Sequence, residues 1–130
     1  MSDFTIKNFL TDIEDMSARR GVQGLEARFG RDAMESEHLG VSLFRLAPNQ
    51  RIPWGHRHRE QEEAYVVVAG SGRARLDAET RELRQWDLIR VAPHVARGFE
   101  AGPEGLDLLA VGSDRPEGGD GEMVPDFWED

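Results

Sequence analysis

Short runs in which apolar and polar residues alternate, or in which apolar residues cluster, fill the chain from residue 25 onward. Glycine, proline and other turn-forming residues separate these runs, so the pattern predicts short strands. The predicted strands are Leu25–Phe29, Val41–Leu46, 51–58, Glu63–Ala69, Arg73–Asp77, Thr80–Gln85, Leu88–Val91, Ala96–Ala101 and Leu106–Val111. We expect Gly70-Ser71-Gly72 to be the turn of a hairpin. Many short strands at this spacing are typical of an all-β sandwich or barrel.

One helix is predicted near the N-terminus, over Asn8–Arg20. Its apolar residues fall near helical spacing with acidic residues opposite them, at Phe9, Leu10, Ile13 and Met16 and at Asp12, Glu14 and Asp15. Gly21 and Gly24 are expected to end it. The chain then divides into a helical segment over 1–24, a barrel over 25–112 and an acidic tail over 113–130.

The predicted tail, Ser113–Asp130, contains seven acidic residues and one arginine. This composition predicts a segment that is mostly mobile. An apolar stretch, Met123–Trp128, lies within it. That stretch either docks on the barrel, docks on a partner chain, or belongs to a partly ordered surface tail.

Length and composition narrow the class of protein. The chain has 130 residues, 38% of them hydrophobic, which is enough for one domain with one core. The net charge of −9 and the pI near 4.9 argue against nucleic acid and anionic membranes as partners. No cysteine is present, which excludes disulfides and thiolate chemistry and fits a cytoplasmic protein. We find neither a targeting peptide nor an apolar run of membrane-spanning length.

Two histidines followed by a carboxylate form the most informative stretch. His56 and His58 are two residues apart, so their side chains lie on the same side of an extended strand. A carboxylate from Glu62 or Glu63, beyond a turn, can fold back onto them. Two neutral imidazoles and a carboxylate suit a divalent transition metal such as iron, manganese, nickel or zinc. The alternative is a solvated histidine pair on a loop.

The spacing His56-x-His58-x4-Glu63-x6-Gly70 resembles the first motif of the cupin superfamily, H-x-H-x(3,4)-E-x(6)-G. The glycine in register favours Glu63 over Glu62 as the equivalent carboxylate. The resemblance implies a double-stranded β-helix, that is a cupin or jelly-roll barrel, here with a short N-terminal helix. It also implies that a metal often lies at the barrel centre. Cupins include dioxygenases, decarboxylases, isomerases, epimerases and non-enzymatic binders, so the resemblance does not imply one activity.

The second cupin motif, G-D-x-x-x-x-P-x-G-x-x-H-x-F, is similar to residues 86–99 but only in part. Trp86 and His94 stand where the motif has glycine, and Pro93 lies one position late. Arg97 takes the position of the last histidine ligand. A guanidinium has no lone pair to give to a metal. Beside a divalent cation it is repulsive by roughly several kcal/mol at close range.

Two arrangements of the pocket follow from Arg97. In the first, the two histidines and Glu63 hold a metal, water fills the remaining positions, and Arg97 moves aside to receive an anionic substrate. The chain is then a cupin that processes a small organic anion, as a metal-dependent oxidoreductase, isomerase or lyase if it is an enzyme. In the second, Arg97 pairs with Glu63, replaces the metal, and the pocket binds or senses a ligand without metal.

Four side chains are predicted to contact the substrate: Arg97, Tyr65, Trp54 and Phe99. Strand alternation places Tyr65 on the face of Glu63, and Phe99 on the face of Arg97. Plain core packing is the alternative role for Tyr65 and Trp54.

Apolar residues occupy both faces of two predicted strands. Val66 and Val68 are on the face of their strand opposite to that of Glu63. In the strand Leu106–Val111, Asp107 is the only polar residue, so that strand is apolar on both faces. A sheet with one face in water would show polar residues on that face. Both faces are therefore expected to be covered, by the N-terminal helix, by the Phe127-Trp128 stretch of the tail or by a second subunit, and we predict a homodimer.

Overall fold

A computed structural model describes residues 3–128 of the chain. The outermost residues of the predicted N-terminal segment and tail, 1–2 and 129–130, lie outside this range. The helical elements are α1 (Phe9–Asp12), a 3₁₀ turn (Ser17–Arg20) and α2 (Gly30–Ala33). The strands are β1 (Leu25–Phe29), β2 (Gly40–Leu46), β3 (Gly55–His58), β4 (Glu63–Leu76), β5 (Glu79–Leu83), β6 (Leu88–Val91), β7 (Arg97–Gly112) and β8 (Gly121–Val124). Within the described range no helix has the length and apolar character needed to cross a membrane.

Two long strands, β4 and β7, pair along most of their length and belong to two sheets. The first half of β4 and the second half of β7 join one sheet in the order β1-β2-β7-β4-β6. The other halves join a second sheet in the order β5-β4-β7-β3-β8. The apolar core lies between them. This is the predicted all-β jelly-roll barrel, with a short N-terminal helix.

The predicted hairpin around Gly70 is wrong, because β4 continues through it. The pairing of β4 with β7 shifts register between Gly70 and Gly72, and Gly70 has a φ of +77°. A Cβ at Gly70 would lie 2.1 Å from the carbonyl oxygen of Gly105. The two strands therefore bend together at a close backbone contact that only glycine permits. For the same reason the strands predicted over Ala96–Ala101 and Leu106–Val111 form one strand.

The long helix predicted over Asn8–Arg20 is also wrong. The side chain of Asn8 accepts hydrogen bonds from the first turn of α1, and Ile13 is already extended. Asp15 accepts hydrogen bonds from the backbone N–H of Ser17 and of Ala27, at 3.0 and 2.9 Å. These side-chain contacts replace helical hydrogen bonds and turn the chain into β1. Gly21, with a φ of 68°, ends the 3₁₀ turn.

The apolar stretch of the C-terminal segment docks on the chain's own barrel. Strand β8 pairs with β3, and the Phe127 side chain is buried. The indole N–H of Trp128 donates to the carbonyl oxygen of Ile52 at 2.8 Å, and the Arg51 guanidinium lies 4.1 Å from the Trp128 ring. This docking brings Asp120, which directly precedes β8, against the barrel strand that carries the two histidines.

Candidate metal centre

Strand β3 presents both histidines of the first motif to the barrel interior. Their rings lie perpendicular, with centroids 5.2 Å apart. Across from them, β4 begins at Glu63. The Oε1 atom of Glu63 lies 3.4 Å from Nε2 of His56 and 3.3 Å from Nε2 of His58. The turn between β3 and β4 thus folds the carboxylate back onto the histidine pair.

The three side chains fit a divalent transition metal by spacing and by chemistry. Donor atoms from all three lie within 4.8 Å of one another. Ligands with bonds of about 2.0–2.2 Å to a common metal sit at about 3–4 Å from each other. The Nε2 atom of His58 is buried and has no hydrogen-bond partner within residues 3–128. An unpaired nitrogen is costly in a buried site, and a metal ion would supply its partner.

Glu63 is held in its ionised form. Burial raises its pKa, but contacts with His56, His58 and Tyr65 outweigh burial and leave the pKa well below its usual range. The hydroxyl of Tyr65 donates to Oε1 of Glu63 at 2.6 Å. Burial and then the charge of Glu63 raise the pKa of Tyr65, so its hydroxyl keeps its proton. A carboxylate that stays ionised is the form that a metal or a cation requires.

Asp120 reaches the centre from the C-terminal segment, and sequence reasoning missed it. Its side chain is 1% exposed, and Oδ1 lies 2.8 Å from Nδ1 of His58. Oδ2 accepts from the backbone N–H of Glu60 at 2.6 Å and of Gln61 at 2.9 Å. Burial raises the pKa of Asp120, but these hydrogen bonds lower it to about 2. On His58, burial lowers the pKa, while Glu63 and Asp120 raise it above its usual value.

Arg97 lies beside the cluster and is completely buried. It begins β7 directly opposite His56. Its Nη1 donates to the carbonyl oxygens of Val95 at 2.9 Å and Pro93 at 3.3 Å. Its Nη2 lies 3.6 Å from Oε1 of Glu63. The guanidinium is therefore fixed at one end by backbone carbonyls and faces the carboxylate with the other.

The cupin domain family matches residues 42–112, which is more than half of this chain. The chain belongs to the cupin family. The resemblance drawn from its motifs is thus confirmed, and with it the barrel fold.

Solved cupin structures are similar to this cupin along much of its length. A cupin protein from Bacteroides fragilis is 22% identical, with 88% of this chain and 86% of that one covered and a TM-score of 0.72. A cupin-superfamily sugar phosphate isomerase from Silicibacter pomeroyi is 18% identical, with 93% of each chain covered and a TM-score of 0.70. A salicylate 1,2-dioxygenase from Pseudaminobacter salicylatoxidans is 18% identical, with 71% of this chain but only 27% of that one covered and a TM-score of 0.62. No curated protein matches the chain. Likeness at these identities establishes the fold alone.

All seven predicted site residues of this cupin line one cavity of about 780 Å³. The predicted ligands lie together at its wall, as described above. Tyr65 and Phe99 also belong to the core, with ring centroids 4.8 Å apart. Each of them therefore packs in the core and also lines the cavity. Trp54 stacks against the guanidinium of Arg20 at 5.9 Å. The N-terminal segment, strands β1 and β2 and the residues around Asp120 also line the cavity.

Proposed function

We propose that this cupin holds a divalent transition metal through His56, His58 and Glu63, and takes a small organic anion in the adjoining cavity. The observation that carries the proposal is the buried Nε2 of His58, which lacks a hydrogen bond to any described residue and lies 3.3 Å from the carboxylate. Iron, manganese, nickel and zinc all accept this ligand set. A bound metal would act as a Lewis acid toward an oxygen of the substrate.

The anion preference rests on Arg97. Its Nη1 is taken by carbonyl oxygens, but Nε and Nη2 make no hydrogen bond within the described part of the chain. These two nitrogens form one edge of the guanidinium, and such an edge binds a carboxylate through two parallel hydrogen bonds. The carbonyls hold Nη1 in place, so we propose that the guanidinium stays fixed and that the side chains covering its Nε–Nη2 edge open to admit the anion.

Tyr65, Phe99 and Trp54 complete the proposed substrate site. The Tyr65 hydroxyl donates a hydrogen bond to Oε1 of Glu63 and thereby orients that carboxylate. The rings of Tyr65 and Phe99 give the cavity an apolar wall, which suits the carbon skeleton of an organic acid. Solved structures similar to this cupin include a sugar phosphate isomerase and a salicylate dioxygenase, so we propose metal-assisted conversion of the anion. A turnover screen would identify the class of reaction.

A second candidate function is a metal-free binding module. It is favoured by the approach of Arg97 Nη2 to Glu63 Oε1, at 3.6 Å, between two groups that are both largely buried. In this arrangement the guanidinium supplies the positive charge that a metal would otherwise supply. The two functions differ in one measurable property, the metal content of the protein.

Elemental analysis of protein purified without an affinity tag tests the proposal. We expect about one equivalent of iron, manganese, nickel or zinc, either as purified or after reconstitution. His56→Ala should weaken binding roughly 100-fold or more, since loss of a mere outer-shell partner already costs about 10- to 100-fold. His38→Ala, which removes an exposed histidine, is the matched control. If reconstitution with all four metals leaves the protein metal-free, the metal-free module replaces the first proposal.

The predicted homodimer remains a proposal, supported by an apolar outer face of the barrel. Leu88 is 71% exposed and pairs in register with Val66, which pairs on its other side with Leu109. Trp86, two positions before Leu88 along the chain, is 69% exposed. We expect light scattering with size exclusion to give a dimer at micromolar concentration, and Leu88→Glu to give a monomer. Ile6→Glu, at an exposed N-terminal position, should leave the mass unchanged. A monomeric wild type would remove this proposal.

A further inference from the structure

The His58 ring connects Asp120 with the metal centre, because its Nδ1 atom faces Asp120 and its Nε2 atom faces Glu63. The Nδ1 atom of His58 lies 2.8 Å from Oδ1 of Asp120, whose other oxygen accepts two backbone N–H groups. A carboxylate accepts hydrogen bonds, and Asp120 at 2.8 Å from Nδ1 is a closer partner for the ring than Glu63 at 3.3 Å from Nε2, so a single ring proton lies on Nδ1. A neutral imidazole carries one proton, and the Nε2 atom therefore keeps its lone pair. That lone pair points toward Glu63, at 3.3 Å.

The carboxylate of Asp120 is itself prevented from turning. Its second oxygen accepts two backbone N–H groups, from Glu60 and Gln61. The next residue, Gly121, pairs in register with His58 where β8 joins β3. The turn between β3 and β4, together with the pairing of Gly121 with His58, thus fixes the carboxylate, and the carboxylate fixes the ring.

We propose that Asp120 is a positioning residue which selects the Nδ1–H tautomer of His58 and so makes its Nε2 available as a metal ligand. The metal half of this inference rests on the proposed function, while the tautomer half stands without metal. It also gives the C-terminal segment a role at the site, since the segment supplies a residue that the barrel strands do not.

The substitution Asp120→Asn should invert the tautomer of His58. The asparagine side chain has one acceptor oxygen and one NH₂ donor, whereas the site needs acceptors at both positions. The two backbone N–H groups of Glu60 and Gln61 would retain the oxygen, because an NH₂ group placed there would meet two donors. The NH₂ group then faces Nδ1 of His58, which must accept. The proton moves to Nε2 and blocks the atom that would bind metal.

The experiment combines nitrogen NMR of the metal-free protein with zinc titration. Long-range ¹⁵N–¹H spectra of the histidine rings would be recorded above the pH at which His58 titrates. We expect Nδ1–H on His58 in the wild type and Nε2–H in Asp120→Asn. Calorimetric titration with Zn²⁺ should show affinity about 10- to 100-fold lower in that variant. Asp126→Asn removes the same charge from an exposed position of the same segment and should change neither readout.

Each outcome decides the inference. Nε2–H on His58 in the wild type, or an unchanged tautomer in a folded Asp120→Asn, overturns it. If Asp120→Asn does not fold, the wild-type spectrum alone decides between the two tautomers. If the tautomer inverts as expected and the wild type binds no metal, Asp120 positions His58 as inferred and the proposed metal function fails.

Discussion

Replacing Arg97 with leucine is expected to destabilise the metal-free protein by about 3 to 5 kcal/mol while tightening divalent metal binding roughly 100-fold or more. The loss of stability follows from burial. The Arg97 guanidinium has no exposed surface, and it satisfies carbonyl oxygens of Val95 and Pro93. Leucine removes the Arg97 donor from the Val95 carbonyl, leaves the Pro93 carbonyl only its hydrogen bond from the backbone N–H of His58, and removes the guanidinium beside the buried Glu63 carboxylate. Loss of a buried hydrogen bond and loss of a buried charge partner are both costly.

The gain in metal affinity follows from charge. Arg97 Nη2 lies 3.6 Å from the oxygen of Glu63 that also faces both histidines. Two unit charges about 4 Å apart repel by about 4 kcal/mol at an effective dielectric constant of about 20, and a divalent ion is repelled more. A 100-fold change needs only about 2.7 kcal/mol of that. Leucine has no donor atom, so tighter binding cannot come from a new ligand.

Denaturant unfolding in the presence of a chelator would measure the first effect, and calorimetric titration with Zn²⁺ the second. Arg90→Leu is the matched control because Arg90 is exposed and pairs with Glu62 outside the cavity. Its stability should stay within about 0.5 kcal/mol of the wild type, with unchanged zinc affinity. Unchanged or weaker zinc binding in Arg97→Leu would show that the guanidinium does not repel a cation at these ligands.

The cluster of His56, His58 and Glu63 could be predicted from the sequence because it depends on local patterns along the chain. The two-residue period of a strand places His56 beside His58, and Tyr65 beside Glu63, whatever the rest of the fold does. The same period places Arg97 beside Phe99. The structure brings all of these side chains to one cavity. Their roles toward a metal or a substrate are still proposals.

Features that depend on distant contacts could not be predicted in this way. A glycine such as Gly70 has the same sequence signature at a hairpin turn and at a bend in a long strand, and the contact with Gly105 decides between them. The N-terminal helix ends at Asp12, and beyond it Asp15 accepts a hydrogen bond from the backbone N–H of Ala27 in the next strand. Asp120 is one acid among seven in the tail, and only a contact across 62 positions with His58 distinguishes it.

Phe127→Ala is expected to release the C-terminal segment from the barrel at a cost of about 3 kcal/mol. Phe127 is 6% exposed, and its ring sits on two glycines of the barrel. A Cβ at Gly55 would lie 2.6 Å from that ring, and one at Gly98 would lie 2.8 Å from it. Truncation of a buried phenylalanine to alanine typically costs about 3–5 kcal/mol. Because β8 is an edge strand that pairs only with β3 within the described residues, the cost appears as local opening of β8.

Hydrogen exchange at the backbone amides of β8 measures that opening. A cost of about 3 kcal/mol corresponds to exchange roughly 100-fold faster. Met123→Ala is the matched control, since Met123 lies on the same segment and is 57% exposed. Its amides should exchange at nearly the wild-type rate.

Gly98→Ala tests the same contact from the opposite side. The new methyl group would overlap the Phe127 ring. Gly55 lies about as close to the ring as Gly98 does, so the ring cannot shift to make room without losing contact with one of the two glycines. We expect β8 amides to exchange in Gly98→Ala about as fast as in Phe127→Ala. Since Gly98 directly follows Arg97 and Gly55 directly precedes His56, the ring holds the segment against the two positions that flank the metal centre. Slow exchange in both variants would mean that pairing of β8 with β3 alone holds the segment, and that the Phe127 contact is dispensable.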